Sequence, residues 1–198
     1  MANLFSKHTN SLINYFIPAK DKADIKLYRA ARIRVTLFLI TAGLWLLYIP
    51  SALSFDFVYW QPMANFFAAG ISILAAFLHK KSVRLTTVIH VFMIGTTLST
   101  FTSCITQGGL NAIAALLLIP IVAMLLGGTR MALIWLSITL VFLSSIYIMM
   151  INGHEFPILF NSEYFNYVSF TNSIGMLVAA FFCLQVFQYE RHKAYSDL

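Results

Sequence analysis

The side chains best placed to bind a small molecule share one face of a predicted helix over residues 85–105. Steps of three and four residues bring them together on that face. They are Thr86, His90, Met93, Thr97, Thr100 and Cys104. Asn65 and Asn172 add an amide group on each of two other predicted helices. We predict a ligand site formed by the following residues: Thr86, His90, Met93, Thr97, Thr100, Asn65 and Asn172.

A few hydrogen-bonding groups in an otherwise apolar cavity suit a lipophilic ligand that carries one or two polar atoms. The same groups could instead bond neighbouring helices to one another, which is a common role of uncharged polar side chains in membranes. The sequence leaves both interpretations open for this face.

No constellation for catalysis accompanies these residues. The predicted spans contain no Asp, Glu, Lys or Arg, and the chain has no HExxH motif and no phosphate-binding loop. We therefore expect no enzymatic activity, no metal site and no cofactor. Haem through His90 is a minor alternative, because it usually needs a second axial ligand and the nearest candidate, His79, lies at a helix end.

Six apolar stretches must position these groups. Hydrophobic residues make up 60% of the 198-residue chain and charged residues only 10%, against about 25% in soluble domains. A membrane span needs about 20 apolar residues. The stretches predict an all-α, polytopic bundle of six transmembrane helices at residues 35–54, 58–78, 85–105, 110–127, 131–151 and 165–188.

The distribution of Lys and Arg predicts the orientation. All 13 lie before the first span, in the second and fourth loops, or after the last span. Cytoplasmic segments carry this excess of positive charge, so both termini should be cytoplasmic. The net charge of +6 does not indicate nucleic-acid binding, because the basic residues flank apolar spans instead of forming one patch.

The segments outside the spans complete the predicted organisation. Residues 1–34 form a basic cytoplasmic segment, in which residues 3–17 should make an amphipathic helix in the membrane interface. Residues 35–188 form the six-helix domain. Residues 189–198 continue the last helix without Gly or Pro, so we expect the natural protein to extend into a cytoplasmic domain.

Several short motifs carry a resemblance. They are Tyr28–Arg29 and Arg32–Ile33–Arg34, the turn Thr106–Gln107–Gly108–Gly109, the segment from Ile119–Pro120 to Gly127–Gly128–Thr129–Arg130, and Tyr189–Glu190–Arg191. With them the chain resembles the six-helix N-terminal membrane domains of bacterial sensor histidine kinases, which also occur on diguanylate and adenylate cyclases.

The resemblance implies a sensory domain in the bacterial inner membrane, a homodimer, and a histidine kinase in the same polypeptide. Some members of that group are quorum-sensing receptors for long-chain α-hydroxyketones, a ligand class that fits the predicted apolar site with a few polar groups. A cyclase output is an alternative, as is a stand-alone small transporter or a haem-binding membrane protein. A transporter would usually show internal repeats or charged midplane residues, and the sequence shows neither.

Overall fold

The computed structural model of the chain describes residues 2–54, 60–106 and 113–156, together with Asn166, Phe170 and Ala180. Regular structure in these residues is entirely helical, which confirms the predicted all-α class. The helices are α1 (Ala2–Phe16), α2 (Ala19–Lys22), α3 (Ile25–Ser54), α4 (Trp60–Lys80), α5 (Leu85–Thr106) and α6 (Ile113–Ile151). Apart from the three isolated residues, the predicted span 165–188 with Asn172, and the segment 189–198, lie outside the described residues.

Four of these helices are long and apolar enough to cross a membrane. The candidate spans are Ile25–Pro50, Gln61–Lys80, Leu85–Thr106 and Leu116–Ile151. The first span was predicted to begin at residue 35, but α3 begins ten residues earlier. Asp24 caps its start, because Asp24 Oδ1 accepts hydrogen bonds from the backbone N–H groups of Lys26 (2.7 Å) and Leu27 (3.2 Å).

The fourth candidate span is interrupted at Gly128. It has 36 residues, about 54 Å of continuous helix, whereas the hydrocarbon core is only about 30 Å thick. Gly128 has φ 77° and ψ −172°, which is not a helical conformation and lies where glycine meets no steric penalty. This residue lies between the predicted spans 110–127 and 131–151.

Contacts with α5 show that the chain reverses at Gly128. The His90 ring of α5 contacts the Trp135 ring of α6, and further along both helices the Phe101 ring contacts the Phe142 ring. Because the contacts follow the same order in both helices, residues 129–151 run parallel to α5. Residues 107–112 join the end of α5 to the start of α6. A Cβ added to Gly127 would lie 3.1 Å from Ile89 Cδ1, near the start of α5, so residues 113–127 run antiparallel to α5.

The bundle is built from consecutive neighbours, with α3 against α4, α4 against α5 and α5 against α6. Its centre contains Phe38 and Phe92, whose ring centroids are 4.9 Å apart. Small side chains let α4 approach its neighbours closely, and Ala68, Ser72 and Ala76 are fully buried. The four-residue repeat of small side chains on α4 therefore serves packing within the bundle.

Helix α1 lies against the ends of α3 and α4. Tyr28 Oη donates a hydrogen bond of 2.7 Å to Asn14 Oδ1, and the Phe16 and Phe77 rings are 5.0 Å apart. The predicted amphipathic helix is therefore present. Its Phe16 is buried, whereas Leu12 is 52% exposed.

Candidate functional site

Most of the predicted polar face of α5 is buried. Met93, Thr97, Thr100 and Cys104 are all inside the bundle. His90 is half-buried, and Thr86 is exposed at the second residue of the helix. The buried part of the face therefore begins at His90, one turn further into α5 than the sequence predicted.

This face of α5 lies against the second half of α6. The His90 and Trp135 rings are 6.0 Å apart, and the Phe101 and Phe142 rings are 4.6 Å apart. Thr97 is seven residues after His90 and four before Phe101, so it lies on the same side of the helix between these two contacts. Along α5, Thr97 therefore lies between the two aromatic contacts.

The matching position on α6 is Thr139, which lies between Trp135 and Phe142. It is 2% exposed. Thr97 and Thr139 therefore occupy about the same depth on facing helices. We call the set Thr97, Trp135 and Thr139, with His90 at its edge, the α5–α6 polar site.

Two hydrogen-bonding groups of this site are buried without a partner. They are Thr97 Oγ1 and Trp135 Nε1. The hydroxyls of Thr100 and Thr139, by contrast, donate to the carbonyl oxygens of Thr96 (2.9 Å) and Trp135 (2.7 Å). An unsatisfied buried group costs about 1–3 kcal/mol, so a bound molecule that satisfies these groups would recover that cost.

Asn65 belongs to a different cluster. Gln61 Nε2 donates to Asn65 Oδ1 (3.0 Å) and Ser103 Oγ (2.8 Å), and the Ser99 hydroxyl also donates to Asn65 Oδ1 (3.1 Å). The Thr106 hydroxyl lies 3.1 Å from Gln61 Oε1. We call these five residues the α4–α5 polar network.

The network and the α5–α6 polar site lie on separate sides of α5. At about 100° per residue, the residues bonded to α4 are centred roughly 150° around the helix from Thr97. The structure therefore does not bring Asn65 to Thr97 and His90. The network bonds α4 to α5, which is the alternative role for polar groups that the sequence left open.

Sequence reasoning missed Ser99, Ser103 and Thr106. They also follow one another by four and three residues, so their spacing fits a helix face as well as the predicted one does. The second amide on α4, Gln61, four residues before Asn65, was the available signal that α4 carries its own polar face.

The two histidines considered for haem face different helices. The His79 ring lies 6.4 Å from the Phe38 ring of α3, whereas the His90 ring lies against Trp135 of α6. They are not arranged as axial ligands on the two sides of one haem. In the described part of the chain, no three His, Cys, Asp or Glu side chains form a group that could hold a metal ion.

The α5–α6 polar site can form hydrogen bonds through Thr97 and Trp135, and aromatic rings lie on either side of Thr97 along the helix. Trp135 Nε1 can only donate, and the Thr97 hydroxyl can donate or accept. This combination fits a carbonyl or hydroxyl oxygen on an otherwise apolar molecule. Comparison of the chain with protein-family models, curated proteins and solved structures finds no match.

Proposed function

We propose that this protein is a membrane-embedded sensory domain that binds a lipophilic small molecule between α5 and α6. The observation that carries the proposal is the pair of buried, unpartnered groups, Thr97 Oγ1 and Trp135 Nε1, on facing helices. An apolar chain that carries a hydroxyl and a carbonyl oxygen would offer one hydrogen-bonding partner to each group. Long-chain α-hydroxyketones, the ligand class suggested by the sequence resemblance, have this chemistry.

The proposed topology has six spans with both termini in the cytoplasm. Helices α3, α4 and α5 supply three spans, the two halves of α6 supply two, and residues 165–188 supply the sixth. The basic residues of α2, the start of α3 and the loop after α4 lie at one end of the bundle, and Arg130 follows the turn at Gly128 at that end. The positive-inside rule supports a cytoplasmic location for that end. The bacterial inner membrane is the location that the sequence resemblance implies.

The proposed output passes through the last span. Ligand binding would change the packing of α6 against α5, and the following helix would carry that change to a histidine kinase in the same polypeptide and to its dimer partner. A ligand can shift such an equilibrium only if it binds the two arrangements with different affinities. Thr97 Oγ1 and Trp135 Nε1, which lack partners when no ligand is bound, would provide such a difference in affinity.

Ligand titration tests the proposal. The full chain in phosphatidylcholine nanodiscs is titrated with a long-chain α-hydroxyketone, and tryptophan fluorescence is recorded. We expect a saturable change that is absent in Trp135→Phe. Thr97→Val removes one hydrogen bond without changing the shape of the side chain, so its dissociation constant should rise about two- to tenfold.

The matched control is Thr102→Val on the same helix. Its hydroxyl donates to Leu98 O (2.9 Å), and its position lies roughly 140° around α5 from Thr97. The control should bind like the wild type. Absence of saturable binding by the wild type would contradict the proposed ligand class, and equal weakening in both variants would contradict the location of the site.

A further inference from the structure

The end of the bundle that carries α1 presents a positively charged surface. Lys22, Lys26, Arg32 and Lys81 are exposed there. Of the acidic residues described at this end, Asp21 is buried and Asp24 is engaged as the cap of α3. The surface therefore attracts anions that lie in the plane where the helices leave the membrane.

Side chains of helix α1 contact two of the cationic groups at this end of the bundle. Arg32 Nη2 donates a hydrogen bond of 2.6 Å to Asn10 Oδ1. Lys80 Nζ lies 3.1 Å from the centroid of the Tyr15 ring. Through side-chain hydrogen bonding and through its charge, Lys80 also lowers the pKa of the Tyr15 phenol. Neither Asn10 nor the uncharged Tyr15 matches a phosphate as a partner for a cation.

Helix α1 is apolar on more than its bundle-facing side. Ile13 and Phe16 are buried against the bundle, while Leu12 is 52% and Tyr15 55% exposed. A short helix with apolar groups on its free side and basic residues beside it is typical of a helix that lies in the headgroup region of a membrane. The occupant that suits this surface is therefore a lipid with an anionic headgroup.

We propose that α1, the start of α3 and the end of α4 form a binding surface for anionic phospholipid headgroups, whose phosphates compete with Asn10 and Tyr15 for Arg32 and Lys80. Charge-assisted bonds to a phosphate are stronger than those to a neutral amide or an aromatic ring. Anionic lipid therefore releases α1 from its position on the bundle. This inference does not depend on the ligand site between α5 and α6.

The position of α1 can be measured directly. Spin labels are attached to cysteines introduced at the exposed positions Ser11 on α1 and Thr87 on α5, with Cys104 and Cys183 replaced by serine. The full chain is placed in nanodiscs of phosphatidylcholine alone or of an equimolar mixture with phosphatidylglycerol. The distance between the labels should increase in the mixture.

Two charge-removing variants separate specific contacts from general attraction. Arg32→Ala should lose most of the lipid-dependent increase, because its guanidinium is the group exchanged between Asn10 and phosphate. Arg84→Ala removes the same charge from the same end and should retain the increase. Arg32→Lys, which keeps the charge, should retain part of it and shows that the fold tolerates a change at this position.

Three results would overturn the proposal. The first is an unchanged distance in the wild type when phosphatidylglycerol is added. The second is equal loss in Arg32→Ala and Arg84→Ala, which would reduce the effect to net charge. The third is the same increase when inorganic phosphate is added to phosphatidylcholine nanodiscs, which would assign the surface to a soluble anion.

Discussion

At the scale of single residues, Thr97 differs from the other buried hydroxyls in the described part of the transmembrane helices in how its polar atom is satisfied, while Trp45 Nε1 and His79 Nε2 are buried without a partner elsewhere in the described interior. Thr100, Thr139 and Ser72 each donate to a carbonyl four residues earlier, which is the usual solution for a hydroxyl in a transmembrane helix. Thr97 does not use that solution, and its Oγ1 is left without a partner. A buried hydroxyl without a partner lowers the free energy of unfolding, and it can form a hydrogen bond with a bound ligand.

Removing the Thr97 hydroxyl should therefore stabilise the ligand-free protein. In Thr97→Val, the buried oxygen is replaced by a methyl group of similar size, and we expect the free energy of unfolding to rise by about 1 kcal/mol. Thermal unfolding in detergent measures the change. Thr139→Val, whose hydroxyl is bonded to Trp135 O, is the control and should be neutral or slightly less stable. A fall in stability for Thr97→Val alone would mean that the hydroxyl is already satisfied.

At the scale of helices, α4 and α5 approach each other closely at Gly95. A Cβ added there would lie 2.5 Å from Ile71 Cγ2, which is closer than packed atoms allow. We expect Gly95→Ala to reduce the free energy of unfolding by about 1–3 kcal/mol through overpacking. Gly70→Ala, where the added atom meets nothing within 4 Å, should be neutral or stabilising.

A double variant identifies the cause. Ile71→Ala removes Cγ2 (2.5 Å) and Cγ1 (3.3 Å) but keeps Cβ (2.7 Å), so Gly95→Ala should cost less in that background than in the wild type while remaining destabilising, as measured by the same unfolding assay. Equal costs in the two backgrounds would show that the Gly95 contact is not what limits the approach of α4 and α5.

The end of α4 contains a strained residue. Ser82 has φ 57°, and the bonds from Ser82 N to His79 O (2.9 Å) and from Val83 N to Leu78 O (3.1 Å) close the helix around it. Helices commonly end with glycine in this conformation, as α6 does at Gly153 with φ 80°. Ser82→Gly should raise the melting temperature, with a gain of about 1 kcal/mol in unfolding free energy. Ser82→Ala should show no gain, and a gain there would point to a cause other than backbone conformation.

The helices themselves were predictable because their ends are marked by charges, glycine and changes in hydropathy. Structure and prediction differ by two residues at the start of α4 and by one at the end of α5, but by ten at the start of α3, where basic residues continue the helix beyond the apolar stretch. The polar face of α5 was harder to predict. Thr97 and Ser99 lie on different sides of α5, and both are buried. Because lipid is as apolar as the protein interior, hydropathy does not tell which side of the helix contacts α4 and which contacts α6.

At the scale of the whole molecule, the turn at Gly128 determines the number of spans. Because α6 reverses there, Thr129 lies at the basic end of the bundle, together with Lys81, and His154 lies at the opposite end. Cysteines introduced at Thr129 and Lys81 should react with an impermeant thiol reagent from the cytoplasmic side of membrane vesicles, and one at His154 from the other side. Protection of Thr129→Cys from both sides would place it within the membrane and contradict the reversal.

We propose that Thr97 and Trp135 recognise polar atoms on a lipophilic ligand. The most direct test compares the binding of a long-chain α-hydroxyketone with that of the alkane of equal length, in the wild type and in Thr97→Val. The wild type should prefer the hydroxyketone, and the variant should lose about two- to tenfold of that preference while binding the alkane equally well. An unchanged preference in Thr97→Val would contradict the claim and place the ligand elsewhere in the bundle.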